Sequence, residues 1–352
     1  MKKKITIKEI AQQAGVSVTT VSRVINNHPS VKEEKRKLVQ KIIDEQEFQP
    51  SMLARGMVSS VTRNLAVVVP DINNPYFTAL VSHLETASYE AGYSLLLFNT
   101  MAAGKQKALP TTQQEQSVFH TILEKRIDGV FILGGEIDKD YPSDTYIQAL
   151  TNLNQQIPVV VIGQKDPTFP LTFIERDLVA GTKAAVQHLL ALGHKKIGFL
   201  GGESGIKITS ERLATFKKTM SLYGEFDPDF VYLSDFYTKD GYESMESLLS
   251  AEKQPSAVIT INDKVAIGAI RALTDHGLNC PKDLKIVSCD AFPDGEYTVP
   301  RLTTVDQKNA TLAVSAMESL LALINDKPLI TLHKHTPELI IRESCGIQTK
   351  GE

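Results

Sequence analysis

Only three cysteines, Cys280, Cys289 and Cys345, occur in 352 residues, and none forms a CxxC pair. So few thiols exclude a disulfide framework and point to a reducing compartment, the cytoplasm. The chain also lacks any apolar run near the ~18 residues of a membrane helix. Its longest clean runs, such as Leu65–Pro70 and Leu95–Phe98, have strand length. Met1-Lys2-Lys3-Lys4 leads into mixed polar sequence, so neither a secretory signal nor a membrane partner is expected. Missing too are a GxxxxGKS/T phosphate loop, GxGxxG, GxSxG and HExxH. No acid–base pair stands beside a nucleophile or metal, so neither an enzyme nor a cofactor is expected. His333 and His335 would share one face of a strand-like segment, but no third ligand has suitable spacing, so no metal site is expected.

The composition that remains is that of a globular chain, with 42% hydrophobic and 22% charged residues. At about 100–200 residues per domain, two or three domains are expected. The net charge of −3 conceals an asymmetry: residues 1–60 carry 11 Lys and Arg against 6 Asp and Glu, and the rest 27 against 35. A basic head on an acidic body suits a polyanion at one end, although a solvated helix surface would give the same count.

The head has a pattern of its own. Thr6 and Glu9 have the Ser/Thr-x-x-Glu spacing of a capping box, and Ile7, Ile10, Ala11 and Ala14 follow at helical spacing up to Gly15. Ser17 can cap a second helix through Asn26, with Val21, Val24 and Ile25 on its apolar face. Val18, Thr19, Ser22 and Arg23 fall on the other face. A third helix, about Lys32–Glu45, should add Leu38, Ile42 and Ile43 to a three-helix core. Two short helices about a glycine turn form a helix-turn-helix unit, whose second helix enters the major groove, although capped helices also occur in ordinary bundles. In such a groove Arg23 can donate twice to guanine, and Val18 and Thr19 can touch base edges or a thymine methyl. Thr6, Ser17, Ser22 and Asn26 suit phosphates.

The runs Thr6-Ile7-Lys8-Glu9-Ile10-Ala11, Ala14-Gly15-Val16-Ser17 and Thr20-Val21-Ser22-Arg23-Val24-Ile25-Asn26 resemble the headpiece of the LacI/GalR family of bacterial transcription regulators. The likeness continues through Pro50-Ser51 and Ala54-Arg55 and covers nearly the whole chain. It implies operator DNA as partner, with Thr6, Ser17, Val18, Thr19, Thr20, Ser22, Arg23, Asn26, Ala54 and Met57 in contact. It also implies a hinge helix at about Ser51–Val58 that folds on DNA, with Met57 where the family usually wedges a leucine into the minor groove. Gly56 beside it lowers helix propensity by about 1 kcal/mol relative to alanine, and a flexible linker is the lesser alternative for this stretch.

Beyond Thr62, β-rich runs alternate with helical stretches such as Phe77–Ala91 and Glu115–Lys125. Leu65–Val69, Leu95–Phe98, Val130–Leu133 and Val159–Ile162 read as strands buried on both faces. The rhythm restarts with Phe173–Ile174, Ile197–Leu200, Phe230–Leu233, Ala257–Ile261 and Ile286–Ser288. Met101–Gln116 is the most loop-like stretch. Two successive sets imply an α/β core of two doubly wound parallel-sheet subdomains, like a periplasmic binding protein. The expected domains are a headpiece at 1–48, a hinge at 49–61 and a core at 62–352. Within the core, one subdomain takes about 62–162 and 291–324, and the other about 163–290 and 325–347.

Ligands of such sheets lie outside the carboxyl ends of the strands, which singles out Asp71, Asn73, Asn74, Tyr76 and Phe77, then Asn262-Asp263 and Asp290. Any one of these acids could instead be a helix N-cap. The resemblance makes Asp71–Phe77 an effector loop, with Arg212, Phe236, Asn262, Asp263 and Asp290 as contacts and Leu302–Gln307 as the return crossover. Arg212 would clamp hydroxyls, Asp290 would accept from them, and Phe236 or Phe77 would stack. Asp71, Asn73, Tyr76, Phe77, Arg212, Phe236, Asn262, Asp263, Asp290 and Gln307 are thus the effector candidates, for a small carbohydrate. The chain departs from the family at Thr215, where glycine is usual, at Glu175-Arg176-Asp177 and at Ser288-Cys289-Asp290. Arg176 could meet an anionic ligand or pair with Glu175 or Asp177. The expected protein is a homodimeric, allosteric repressor of carbohydrate-utilisation genes that reads a pseudo-palindromic operator.

Overall fold

The computed structural model describes residues 5–25, 29–46, 48, 61–103, 111–329 and 335–347, and the chain divides into two compact units, 1–63 and 64–352. The expected hinge at Ser51–Val58, with Ala54, Gly56 and Met57, lies outside the described residues, as do Asn26 and His333.

In the first unit, helix α1 (Ile7–Gln13) starts with the expected capping box. Glu9 N donates to Thr6 Oγ1 at 3.3 Å, and Thr6 N donates to Glu9 Oε2 at 2.7 Å. Two orphan amides are thereby satisfied reciprocally. Gly15, at φ +62°, makes the turn into α2 (Val18–Ile25), and Thr20 N donates to Ser17 Oγ at 3.2 Å. Helix α3 (Glu33–Glu45) closes a core of Ile10, Ala11, Ala14, Val21, Val24 and Val39. Leu38, expected in that core, is 46% exposed, and Val39 is fully buried in its place. Ile42 and Ile43 are partly buried, as their spacing from Val39 requires.

The second unit holds two parallel sheets. Strands β1 (Asn64–Val69), β2 (Ser94–Asn99), β3 (Gly129–Leu133), β4 (Val159–Ile162) and β5 (Thr172–Ile174) lie in the order β2-β1-β3-β4-β5. Helices α4 (Pro75–Glu90), α5 (Thr111–Glu124) and α6 (Asp144–Gln156) connect them. After α7 (Leu178–Ala191), strands β6 (Ile197–Leu200), β7 (Val231–Tyr232), β8 (Ala257–Thr260) and β9 (Lys285–Val287) lie in the order β7-β6-β8-β9. Helices α8 (Lys207–Tyr223), α9 (Thr238–Leu249) and α10 (Asp263–Asp275) belong to this second sheet. Strand β10 (Thr304–Asp306) pairs antiparallel with β11 (Glu338–Ile340). Between them α11 (Asn309–Ile324) returns to the first sheet, where Leu312, Ala316 and Leu320 pack with Phe131 and Val160.

Four expectations are corrected here. Phe173–Ile174 does not open the second sheet, because Phe173 is in register with Val161 of β4 as the last strand of the first sheet. Residues 302–305, expected with the first subdomain, pack against the second, with Leu302 and Val305 in its core. Strand β2 is not buried on both faces: it lies at the sheet edge and exposes Leu96 and Leu97. Thr111–Gln116, read as loop, belongs to α5. Helices α9 and α10 meet closely, for a Cβ on Gly241 would strike the Val265 backbone and one on Gly268 the carbonyl of Thr238.

Candidate functional site

On the headpiece, Ser17, Val18, Thr19 and Arg23 are exposed and Thr20 is half-buried. Ser22, expected to meet a phosphate, is only 5% exposed in the headpiece, since it follows Val21 into the packed side of α2. The hydroxyls of Ser17 and Thr20 bond each other at 2.9 Å, and Thr6 Oγ1 bonds Glu9 Oε2. This leaves a helix start with an apolar methyl pair, a threonine and a guanidinium in one exposed strip. That set matches what a major groove offers.

In the second unit, the carboxyl ends of both sheets face a common cleft, open to solvent at its mouth. Such a cleft at the strand ends is where small ligands bind in open α/β sheets. Asp290, just after β9, is its most constrained acid: it is buried, with φ +91°. Arg212 on α8 donates from Nη2 to Asp290 Oδ1 at 2.5 Å and from Nη1 to the Ile261 carbonyl. Arg176 reaches the same Asp290 oxygen from Nη1 at 3.5 Å, and its guanidinium carbon stands 4.1 Å above the Tyr76 ring. Arg176 thus pairs neither with Glu175 nor with Asp177, as expected from sequence, but with an acid 114 positions away. Glu175 accepts from Lys165 N, and Asp177 caps α7 through Ala180 N.

Five of the ten effector candidates line the cleft: Tyr76, Phe77, Phe236, Asn262 and Asp290. Arg212 stands behind them, holding Asp290. Asp71 accepts from Asn73 N and Nδ2, both at 2.9 Å, and from the Tyr237 hydroxyl at 2.5 Å. It therefore ties the first subdomain to the second beside the cleft, and burial together with Asp71 pushes the Tyr237 hydroxyl well up. Asn262 lines the cleft and also caps α10, its Oδ1 accepting from Val265 N at 3.0 Å. Asp263 is held away from the cleft, accepting from Phe292 N at 2.7 Å and from Thr304 Oγ1 at 2.6 Å. Burial pushes its carboxyl up to about 7. Gln307 also lies outside the lining, buried against Gly181 with both amide atoms unpartnered. Asp263 and Gln307 are thus corrected from ligand contacts to residues of the crossover between subdomains.

The cleft lining also contains Asp138, Lys139, Glu203, Asp235 and Tyr237, which sequence reasoning missed. Asp138 ends a short 3₁₀ segment, Gly135–Asp138, that follows β3, Lys139 comes directly after it, and no motif marks the segment. Its signal in the sequence was the glycine pair Gly134-Gly135 directly after a strand. Glu203 falls in the glycine-rich Gly201–Gly205 loop that follows β6.

An exposed helix-turn-helix joined in one chain to a two-sheet ligand-cleft core defines a class: a DNA-binding regulator carrying a binding-protein-like core. Residues 6–51 match the model of bacterial regulatory proteins of the lacI family, and residues 186–345 that of the periplasmic binding protein-like domain. The HTH-type transcriptional repressor PurR of Pasteurella multocida is 33% identical over 344 residues, covering 96% of this chain and 98% of that protein. PurR of Haemophilus influenzae shows the same identity and coverage. Among solved structures, the lac repressor dimer bound to operator and the anti-inducer ONPF superposes with a TM-score of 0.85 at 25% identity, covering 97% and 99% of the two chains. A CelR–cellobiose complex shares the fold, with a TM-score of 0.69 at 24% identity, covering 97% and 100%. The chain belongs to the LacI family and is a DNA-binding transcriptional repressor, not an enzyme.

Proposed function

We propose that this repressor acts as a cytoplasmic homodimer whose operator affinity is set by a small carbohydrate in the cleft. Val18, Thr19 and Arg23 read bases, and Thr6, Ser17 and Thr20 hold phosphates. Two headpieces, one helical turn apart, then match a pseudo-palindrome. Residues 1–48 serve as headpiece, 49–61 as hinge and 62–352 as core, with the first subdomain continuing through Ile174. Asn26, Ala54 and Met57 complete the DNA-contacting set.

The observation that carries the ligand reading is the pairing of Phe77 and Phe236 with Arg176 and Asp290 in one lining. Aromatic faces suit the apolar side of a sugar ring, and charged donors and acceptors suit its vicinal hydroxyls. A ligand that binds one cleft geometry better than the other shifts the operator equilibrium by that difference in affinity. The PurR name of the relatives motivates a second ligand class, purines, which flat aromatic faces also suit. Fluorescence anisotropy of labelled palindromic DNA, titrated with and without panels of neutral sugars and of purine bases and nucleosides, separates the two. Selective operator binding shifted by a sugar is the expected result. A shift produced by purines alone replaces the carbohydrate with that class. Binding that is unselective and lost with salt would overturn the base-reading roles.

A further inference from the structure

We propose that Glu115, which lies outside the cleft lining, is a positioning residue for the ligand site. Its neutral carboxyl braces the segment 135–140, and ionisation releases that segment and loosens the cleft. The inference rests on the cleft being the ligand site and adds a proton that ligand binding requires.

Glu115 on α5 is 3% exposed, and its Oε1 accepts from Glu136 N at 3.1 Å. Gly135, at φ +84°, makes the room for it, since a Cβ there would stand 2.0 Å from Oε1. Gly135, Asp138 and Lys139 of the braced segment line the cleft. The segment also carries three bonds from the first subdomain to the second. Lys207 Nζ donates to the Ile137 carbonyl at 2.7 Å, Asp140 N to the Gly205 carbonyl at 2.8 Å, and Ser210 Oγ to Asp140 Oδ2 at 2.6 Å. A shift of the segment therefore moves a cleft wall and its hold on the other subdomain together.

The titratable groups that face Glu115 are Glu136 and Lys139 in the segment and Tyr146 on α6. Lys139, the cation among them, is taken by Glu136 at 2.6 Å. Despite burial, Lys139 and the Ser143 amide hold the Glu136 carboxyl below the usual range, so it stays ionised. Oε2 of Glu115 is buried with no hydrogen-bond partner. Ionising Glu115 thus sets a second negative charge beside Glu136, out of water and without a counter-ion. The carboxylate would accept more strongly from Glu136 N, yet burial outweighs that bond and pushes the carboxyl up to about 8. Moving the segment toward solvent relieves the cost. A required proton that titrates near 8 predicts a loss of about tenfold in affinity between pH 7 and pH 9.

Isothermal titration of the full-length protein at pH 7, 8 and 9 tests the inference, with glucose, galactose, ribose and adenosine as uncharged probes. Wild-type affinity for whichever binds is expected to fall about tenfold across that range. Glu115→Gln should flatten the fall, because its amide cannot ionise. Rapid-quench hydrogen exchange gives a readout that needs no ligand: at pH 9 the Glu136 amide should exchange faster in wild type than in the variant, and the gap should narrow at pH 7. Carbon-13 titration of the wild-type glutamate carboxyls should show one midpoint near 8, a test that stands even if the variant does not fold. The lack of such a midpoint overturns the inference. Parallel affinity profiles of wild type and variant do so too, even where a sugar binds. Exchange that differs while affinity does not would make Glu115 a structural acid only, and also overturns it. If no probe binds, the carbohydrate reading fails by itself and the exchange comparison decides the brace, with equal exchange sinking it.

Discussion

The headpiece and the core handle polar groups in opposite ways. In the headpiece, the residues assigned to base reading, Val18, Thr19 and Arg23, stand in solvent on an eight-residue helix, while six apolar side chains beneath do the packing. In the core, the functional groups are themselves buried: Arg212 is 1% exposed and Asp290 5%, and each satisfies the other. A surface reader can change residues without touching stability. A buried recognition network cannot, because removing one charge strands its partner.

The sharpest test of that contrast is Asp290→Ala, which leaves two guanidinium groups buried without their shared carboxylate. A loss of about 3–5 kcal/mol in urea unfolding of the core is expected. A near-neutral result would break the comparison. Its counterpart is Arg23→Ala, expected to leave the melting temperature of the headpiece unchanged. It should cost about 1–3 kcal/mol of discrimination between operator and mutated operator in anisotropy titrations. If discrimination persists, Arg23 does not read bases.

A smaller effect comes from Glu115, buried beside Gly135 with Oε1 accepting from Glu136 N at 3.1 Å. Burial pushes its carboxyl up to about 8, from 4.5 in the unfolded chain. The folded state therefore holds the proton more tightly. This contribution to stability is complete below pH 4.5, declines as pH rises to about 8, and is level beyond. Glu115→Gln keeps the acceptor but cannot ionise, so at pH 8 it should be more stable than wild type by at least about 1 kcal/mol. The gain should vanish at pH 5, as paired melting curves at the two pH values would show. A pH-independent difference would mean that Glu115 stays ionised in the fold.

The legibility of the two regions follows from the same contrast. In the headpiece, the capping box at Thr6, the turn at Gly15 and the buried face of α2 are local features, set by residues three or four apart. Reading them needs only helical periodicity, and it failed only where one step of phase decided the outcome, at Leu38 against Val39 and at Ser22. In the core, the alternation of strands and helices was legible, because strands buried on both faces are continuous apolar runs. The partner of each strand was not. Whether Phe173 joins the first sheet or the second depends on pairing with Val161, and nothing in its immediate neighbours states that.

Among the cleft residues, family likeness pointed to Asp290, Arg212, Phe77 and Phe236, and the structure brings these four together. It also pointed to Asp263 and Gln307, which the fold turns toward the crossover instead. Asp138 and Tyr237 carried no recognisable motif, yet they line the cavity because loops from different strands converge at one end of two sheets.

The class of fold, the helix-turn-helix and the family are legible in the chain read alone, since these rest on periodicity, caps and motifs carried within short stretches. Which charges meet is set by packing between distant segments. Arg176 takes its carboxylate from 114 residues away, and a buried charge is governed by whatever lies within a few ångströms, however distant in the chain.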